Sequence, residues 1–76
     1  MEEKLRQVFA VELGLPAARV NDELRYGEAP EWDSIAHMAL VAAIETAFDI
    51  LIDADEVIDM SSFAHARRLV GRHALV

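Results

Sequence analysis

The segment from residue 33 to residue 48 most limits how this chain can fold, because it is apolar around nearly its whole circumference. Placing each residue about 100° after the last gives a first stripe of His37, Leu40, Val41, Ile44 and Phe48. A second stripe on the opposite side carries Ile35, Met38, Ala39, Ala42, Thr46 and Asp49. The pattern predicts a helix, starting near Asp33 or Ser34, whose first stripe faces the core. The second stripe is either a partner surface or lies beneath a loop.

The size of the chain limits the functions it can have. Its 76 residues suit one domain over residues 1–76. A domain this small buries only about 60% of its unfolded surface, which leaves little room for a deep catalytic cavity. The absence of cysteine excludes disulfides and thiolate metal sites. Neither a secretory signal nor a membrane span is predicted, so we expect a cytoplasmic protein.

A first helix is predicted from about Glu2 to Leu13 by the spacing of its apolar residues. Gly14 suits the left-handed position after a helix end, and Pro16 prevents the helix from resuming. Residues 15–32 then form a long ordered loop, with room for one short helical turn. Its predicted attachment points to the core are Leu15, Val20 and Leu24.

Two further helices are predicted after residue 50. A brief third helix is expected over Asp55 to Asp59, and Ser61 or Ser62 can cap a fourth. The residues of this fourth helix expected to face inward are Phe63, Ala66, Leu69 and Val70. The predicted fold class is all-α: a small four-helix bundle with three longer helices, a short third helix and a long loop between helices 1 and 2.

Charge is distributed unevenly along the chain, whose formal net charge is −7. Residues 22–59 hold eleven acidic residues against Arg25 alone, a net charge of −10, whereas residues 60–76 carry three arginines and no acid. An acidic middle argues against nucleic-acid binding, which needs cations to replace phosphate counterions. It favours encounter with basic protein surfaces, or else serves only solubility.

The serine at the start of the second predicted helix stands next to a better capping residue. Asp33 can accept hydrogen bonds from the first-turn amides, which leaves the Ser34 hydroxyl free and pointing outward. A phosphoryl group on Ser34 would meet the positive end of the helix dipole, worth roughly 0.3–1 kcal/mol, although Asp33 would partly oppose it. By itself, a serine at this position is ordinarily only a cap.

These residues make the sequence similar to the acyl carrier proteins. Asp33-Ser34-Ile35 resembles the Asp-Ser-Leu attachment motif of that family, and the resemblance continues through Leu40-Val41, Ile44-Glu45 and Phe48-Asp49. Outside this helix, the sequence LGLP at residues 13–16 and Ser61-Ser62-Phe63 followed by Ala66 also match, so the resemblance covers nearly the whole chain. The sequence Glu-Trp-Asp-Ser at residues 31–34 is similar to stand-alone carriers of specialised pathways. Ala36 stands where fatty-acid carriers usually have an acid.

The resemblance implies a carrier without catalytic activity of its own, which holds acyl groups as thioesters on a 4′-phosphopantetheine arm attached to Ser34. A phosphopantetheinyl transferase would attach the arm from coenzyme A with magnesium, and Asp33 and Ile35 would form part of its recognition motif. The expected contacts for acyl-loading and acyl-processing enzymes with basic surfaces are Ile35, Met38, Ala42, Glu45 and Asp49, with Asp33 as a further flanking charge. The residues that could line an acyl pocket are His37, Leu40, Val41 and Ile44. We expect a monomer.

Two alternatives to an acyl carrier remain open from sequence. One is an aminoacyl or peptidyl carrier, and the other is a helical interaction module in which the serine is only a cap. Trp32 is expected to wedge the loop onto the bundle, and His37 to be a neutral, hydrogen-bonded residue lining the core. We predict neither a metal site nor a hydrolase triad.

Overall fold

Several helix ends lie where the chain supplies a capping group. The computed structural model describes residues 1–74 and contains α1 (Glu2–Leu13), α2 (Ser34–Phe48), α3 (Ala54–Asp59) and α4 (Phe63–Ala74), with a 3₁₀ turn at Ala17–Arg19. Over these residues the structure is a small all-α bundle without strands, which confirms the predicted fold class. α3 begins one residue earlier than predicted, because Asp53 caps it.

Each cap can be identified in the sequence. Gly14 ends α1 in the left-handed conformation with φ of 66°, as predicted. Asp33 caps α2, and Asp53 with Glu56 forms a reciprocal capping box at α3. Of the two serines considered for α4, Ser62 is the cap, since its Oγ accepts a 3.0 Å hydrogen bond from the amide three residues later. Local hydrogen bonding therefore sets most helix boundaries.

Phe9 of α1 lies at the centre of the core. Its ring packs edge-on against Trp32 at 5.3 Å and against Phe63 of α4 at 5.1 Å between ring centroids. α1 packs chiefly against α2, whose Leu40 and Ile44 are fully buried. The residues of α4 predicted to face inward, Phe63, Ala66, Leu69 and Val70, are also buried. The core thus joins three helices and the end of the long loop.

The loop between α1 and α2 is fixed to the bundle by side chains and by backbone. Its predicted attachment points Leu15, Val20 and Leu24 are all buried. The Tyr26 amide donates to the carbonyl of Ser61 at 2.9 Å, and the Phe63 amide donates to that of Leu24 at 3.1 Å, next to the start of α4. An ordered loop therefore leads into the first residue of α2.

Candidate functional site at the start of helix α2

Ser34 is the first residue of α2, and its side chain is exposed. Asp33 supplies the cap, since its Oδ1 accepts from the Ala36 amide at 2.8 Å while its carbonyl accepts from the His37 amide at 2.8 Å. The predicted division between a capping aspartate and a free serine is confirmed. The Ser34 hydroxyl is therefore accessible at the positive end of a fifteen-residue helix.

Trp32 and His37 form a hydrogen-bonded pair beside this helix start. Trp32 is 0% exposed, which confirms that it wedges the loop onto the bundle. Its indole Nε1 donates to His37 Nδ1 at 2.9 Å, and His37 Nε2 lies 2.8 Å from the carbonyl oxygen of Val57 in α3. An indole N–H can only donate, so Nδ1 accepts and the imidazole hydrogen is on Nε2. His37 is half-buried and hydrogen-bonded on both sides.

The second stripe of α2 is open to solvent. Ile35 is 81% exposed and Met38 is 59% exposed, and Ala42 on the same side is exposed as well. The alternative that the long loop covers this stripe is therefore wrong. Ile35 and Met38 are three residues apart and therefore neighbours on one side of the helix, and adjoining exposed apolar side chains are typical of surfaces that contact a partner.

The two acidic residues predicted to flank this stripe differ in their surroundings. Glu45 is half-buried, and its Oε2 accepts a 2.9 Å hydrogen bond from the Ile52 amide in the linker to α3. Asp49 is exposed and ends α2 in the left-handed conformation with φ of 54°. Glu45 thus binds the backbone of the α2–α3 linker, a role that the sequence pattern did not indicate. Asp49 is instead on the surface.

Sequence reasoning missed two exposed apolar residues beyond α2. Leu51 in the α2–α3 linker is 84% exposed and Ile58 of α3 is 77% exposed. The contact between His37 and the Val57 carbonyl brings α3 beside the first turns of α2, with Asp55 and Asp59 exposed on α3. A six-residue helix is too short for periodicity to separate its inner and outer faces. The sequence around Ile58, which lies between Val57 and Asp59, therefore gives no clear sign that this side chain is exposed.

The four residues predicted to line an acyl pocket face the core. Leu40 and Ile44 are fully buried, Val41 is buried and His37 is half-buried. A surface depression of ≈ 310 Å³ lies in the loop before α2, and none of the four lines it. Its lining consists of Ala18, Arg19, Asn21, Glu23, Leu24, Arg25, Glu28 and Ala29.

The described part of the chain, residues 1–74, contains no group of three or more histidine, aspartate or glutamate side chains arranged to hold a metal ion. His73 of α4 instead contacts Glu56 of α3, with 3.0 Å between Nε2 and Oε2. None of the helices within those residues is long and apolar enough to cross a membrane.

No known family model matches this chain, and no curated protein matches it significantly. The two features that bear on function are therefore the geometry around Ser34 and the similarity of Asp33-Ser34-Ile35 to the acyl carrier attachment motif. Both concern the same helix start.

Proposed function

We propose that this chain is an acyl carrier protein, in which Ser34 is the attachment site for a 4′-phosphopantetheine arm. The proposal depends most on one observation: the Ser34 hydroxyl is exposed at the start of α2, while the adjacent Asp33 makes the cap. The resemblance of Asp33-Ser34-Ile35 to the carrier attachment motif supports it. The proposed context is fatty-acid-like, polyketide or other specialised biosynthesis, because the sequence around this motif is similar to that of specialised carriers.

The residues at the helix start fit a phosphodiester-linked group. An exposed hydroxyl can form the ester, and the amides of the first turn of α2 favour a negative charge beside it by about 0.3–1 kcal/mol. The carboxylate of Asp33 partly opposes this effect. When bound, the phosphopantetheine group supplies the thiol that this cysteine-free chain lacks and carries the acyl group as a thioester.

Attachment requires that the Ser34 oxygen attack the pyrophosphate of coenzyme A. A phosphodiester would form at Ser34 as the phosphoanhydride bond breaks, and the nucleotide bisphosphate part of coenzyme A would leave. Asp33 Oδ1 is engaged in the cap by the Ala36 amide, and no hydrogen bond within residues 1–74 joins Asp33 to the Ser34 hydroxyl. The base that takes the hydroxyl proton, and the magnesium ion, are therefore assigned to the transferase.

Partner enzymes are proposed to contact the exposed side of α2 beside the arm. Ile35 and Met38 provide the apolar contacts, and burying each contributes about 1.5–3 kcal/mol. Asp33 and Asp49 provide flanking negative charge for basic partner surfaces. Glu45 contributes less, since the Ile52 amide occupies one of its oxygens.

Incubation with coenzyme A, magnesium and a broad-specificity phosphopantetheinyl transferase tests the attachment site. We expect intact-mass spectrometry to show the gain of one phosphopantetheine group on wild type and none on Ser34→Ala. Ser61→Ala is the matched control, because Ser61 is also an exposed serine near a helix start, and it should be modified normally.

Failure of the wild type to react, under conditions that load a known carrier, would favour the plain helical interaction module. The aminoacyl or peptidyl carrier is distinguished by its cargo. Trapping the native thioester and measuring its mass would identify an amino acid rather than an acyl chain.

A further inference from the structure

The short helix α3 has no buried side chain of its own, although Ile52 before it and Met60 after it are buried. Polar contacts join the helix itself to its neighbours. Val57 is half-buried against the core, and its carbonyl lies 2.8 Å from His37 Nε2 of α2. Glu56 lies 3.0 Å from His73 Nε2 of α4. Two histidines, one on α2 and one on α4, therefore contact α3.

The same His37 ring also holds the segment that leads into Ser34. Its Nδ1 accepts from the Trp32 indole at 2.9 Å, and the two rings are stacked with centroids 5.9 Å apart at 26°. Tyr26 packs against both rings, 5.1 Å from His37 and 6.1 Å from Trp32. Trp32 is two residues before Ser34, so its position determines how the chain enters α2.

We propose that His37 is a positioning residue that couples α3 to the Trp32 segment and, through it, to the presentation of Ser34. Both hydrogen bonds are on one rigid ring, so the imidazole cannot follow a displacement of α3 without changing its contact with the indole. A partner that moves α3 thereby alters the segment that carries the attachment serine. Only this last consequence rests on the proposed carrier function.

The coupling can be measured in the unmodified protein. Trp32 is the only tryptophan, so its fluorescence reports its environment, and hydrogen exchange at the Val57 and Met60 amides reports the stability of α3.

His37→Phe keeps an aromatic ring but removes both hydrogen bonds. We expect α3 amides to exchange about 2- to 10-fold faster, as for the loss of one hydrogen bond, and Trp32 emission to shift to the red. His37→Gln can still accept and donate, and should restore part of both signals.

A double-mutant cycle tests whether a change at α3 reaches Trp32 through His37 or through general packing of the core. His73→Phe loosens α3 from the α4 side without touching Trp32. If His37 transmits the change, His73→Phe shifts Trp32 emission when position 37 is histidine and has no effect when position 37 is phenylalanine. An equal shift in both backgrounds would overturn the proposal, as would unchanged α3 exchange in His37→Phe.

Transferase kinetics then test the consequence for Ser34. We expect kcat/KM for modification to fall about 3- to 10-fold in His37→Phe and to recover partly in His37→Gln. An unaltered kcat/KM in a folded His37→Phe would refute this consequence. A wild type that the transferase does not modify would refute the carrier function, while exchange and fluorescence would still decide the coupling.

Discussion

Asp33 and Ser34 are adjacent residues with different environments. The Asp33 carboxylate accepts from the Ala36 amide at 2.8 Å, whereas Ser34 is exposed at the first position of the helix. Either side chain could have capped α2, and the helix register decides between them. In the observed register, Asp33 caps the helix and Ser34 stays exposed.

Replacing Asp33 separates its capping from its charge. Asp33→Ala should lower the free energy of unfolding by about 1 kcal/mol, because a first-turn amide loses its acceptor. Asp33→Asn should keep most of the stability, since asparagine caps as well, yet slow the modification of Ser34 if the transferase recognises the acid. Urea unfolding followed by Trp32 fluorescence gives the first quantity, and modification rates give the second. Equal stability losses in both variants would mean that the charge, not the cap, stabilises α2.

α2 shows why a helix in a small bundle can be apolar on two sides. Leu40 and Ile44 fill the space against α1 and are fully buried, while Ile35 and Met38 on the other side have no covering element. Asp49 ends the helix in the left-handed conformation, which costs an aspartate less than most residues. The open side of α2 thus runs along the helix from Ser34.

Charged substitutions on this open side should impair partner enzymes without unfolding the protein. Ile35→Glu or Met38→Glu removes apolar area that is already in water, so helix content by circular dichroism should stay nearly unchanged. Turnover of the loaded carrier by a partner enzyme should fall, by about tenfold or more, since burial of either side chain contributes about 1.5–3 kcal/mol.

Val11→Glu is the matched control, because Val11 is 74% exposed but lies on α1. It should retain normal turnover. Unfolding of the Ile35 or Met38 variants, or an equal loss of turnover in Val11→Glu, would contradict the assignment of the docking side.

At the scale of the whole molecule, ion pairs join the acidic middle of the chain to its basic last helix. Both oxygens of Asp22, in the long loop, accept from the guanidinium of Arg67 in α4, at 2.6 and 3.2 Å. Arg67 Nε also lies 3.8 Å from Glu2 of α1. The hydrogen bond from Arg67 lowers the pKa of Asp22 below its ordinary value, and the same bond raises the pKa of Arg67.

This pair predicts part of the acid sensitivity of the fold. Because the pKa of Asp22 is lower in the folded state, its contribution to stability is present above the ordinary aspartate pKa and is lost as the pH falls through the lowered value. Asp22→Asn should therefore flatten the acid side of the pH–stability curve measured by urea unfolding. The effect should be small and weakened by salt, since the pair is exposed. A wild-type-like curve for Asp22→Asn would contradict the assignment.

The sequence by itself predicted the helix boundaries to within about a residue and the exposure of Ser34. Gly14, Asp33 and Ser62 act through hydrogen bonds and backbone preferences within a few residues, so their effects can be read locally. The stripes of α2 followed from helical periodicity in the same way. The core stripe was predicted well except that His37 and Phe48 are only half-buried.

Only the tertiary structure decided which distant groups meet. The binding of Glu45 to the Ile52 amide, the link from Trp32 through His37 to Val57, and the exposure of Ile58 depend on how the linkers bring α3 against α2. No local pattern encodes these contacts, because their partners are chosen by the packing of whole helices. The physical reason is that helix caps and periodicity depend on residues within one or two turns. The packing of one helix on another depends instead on apolar surfaces contributed by distant parts of the chain.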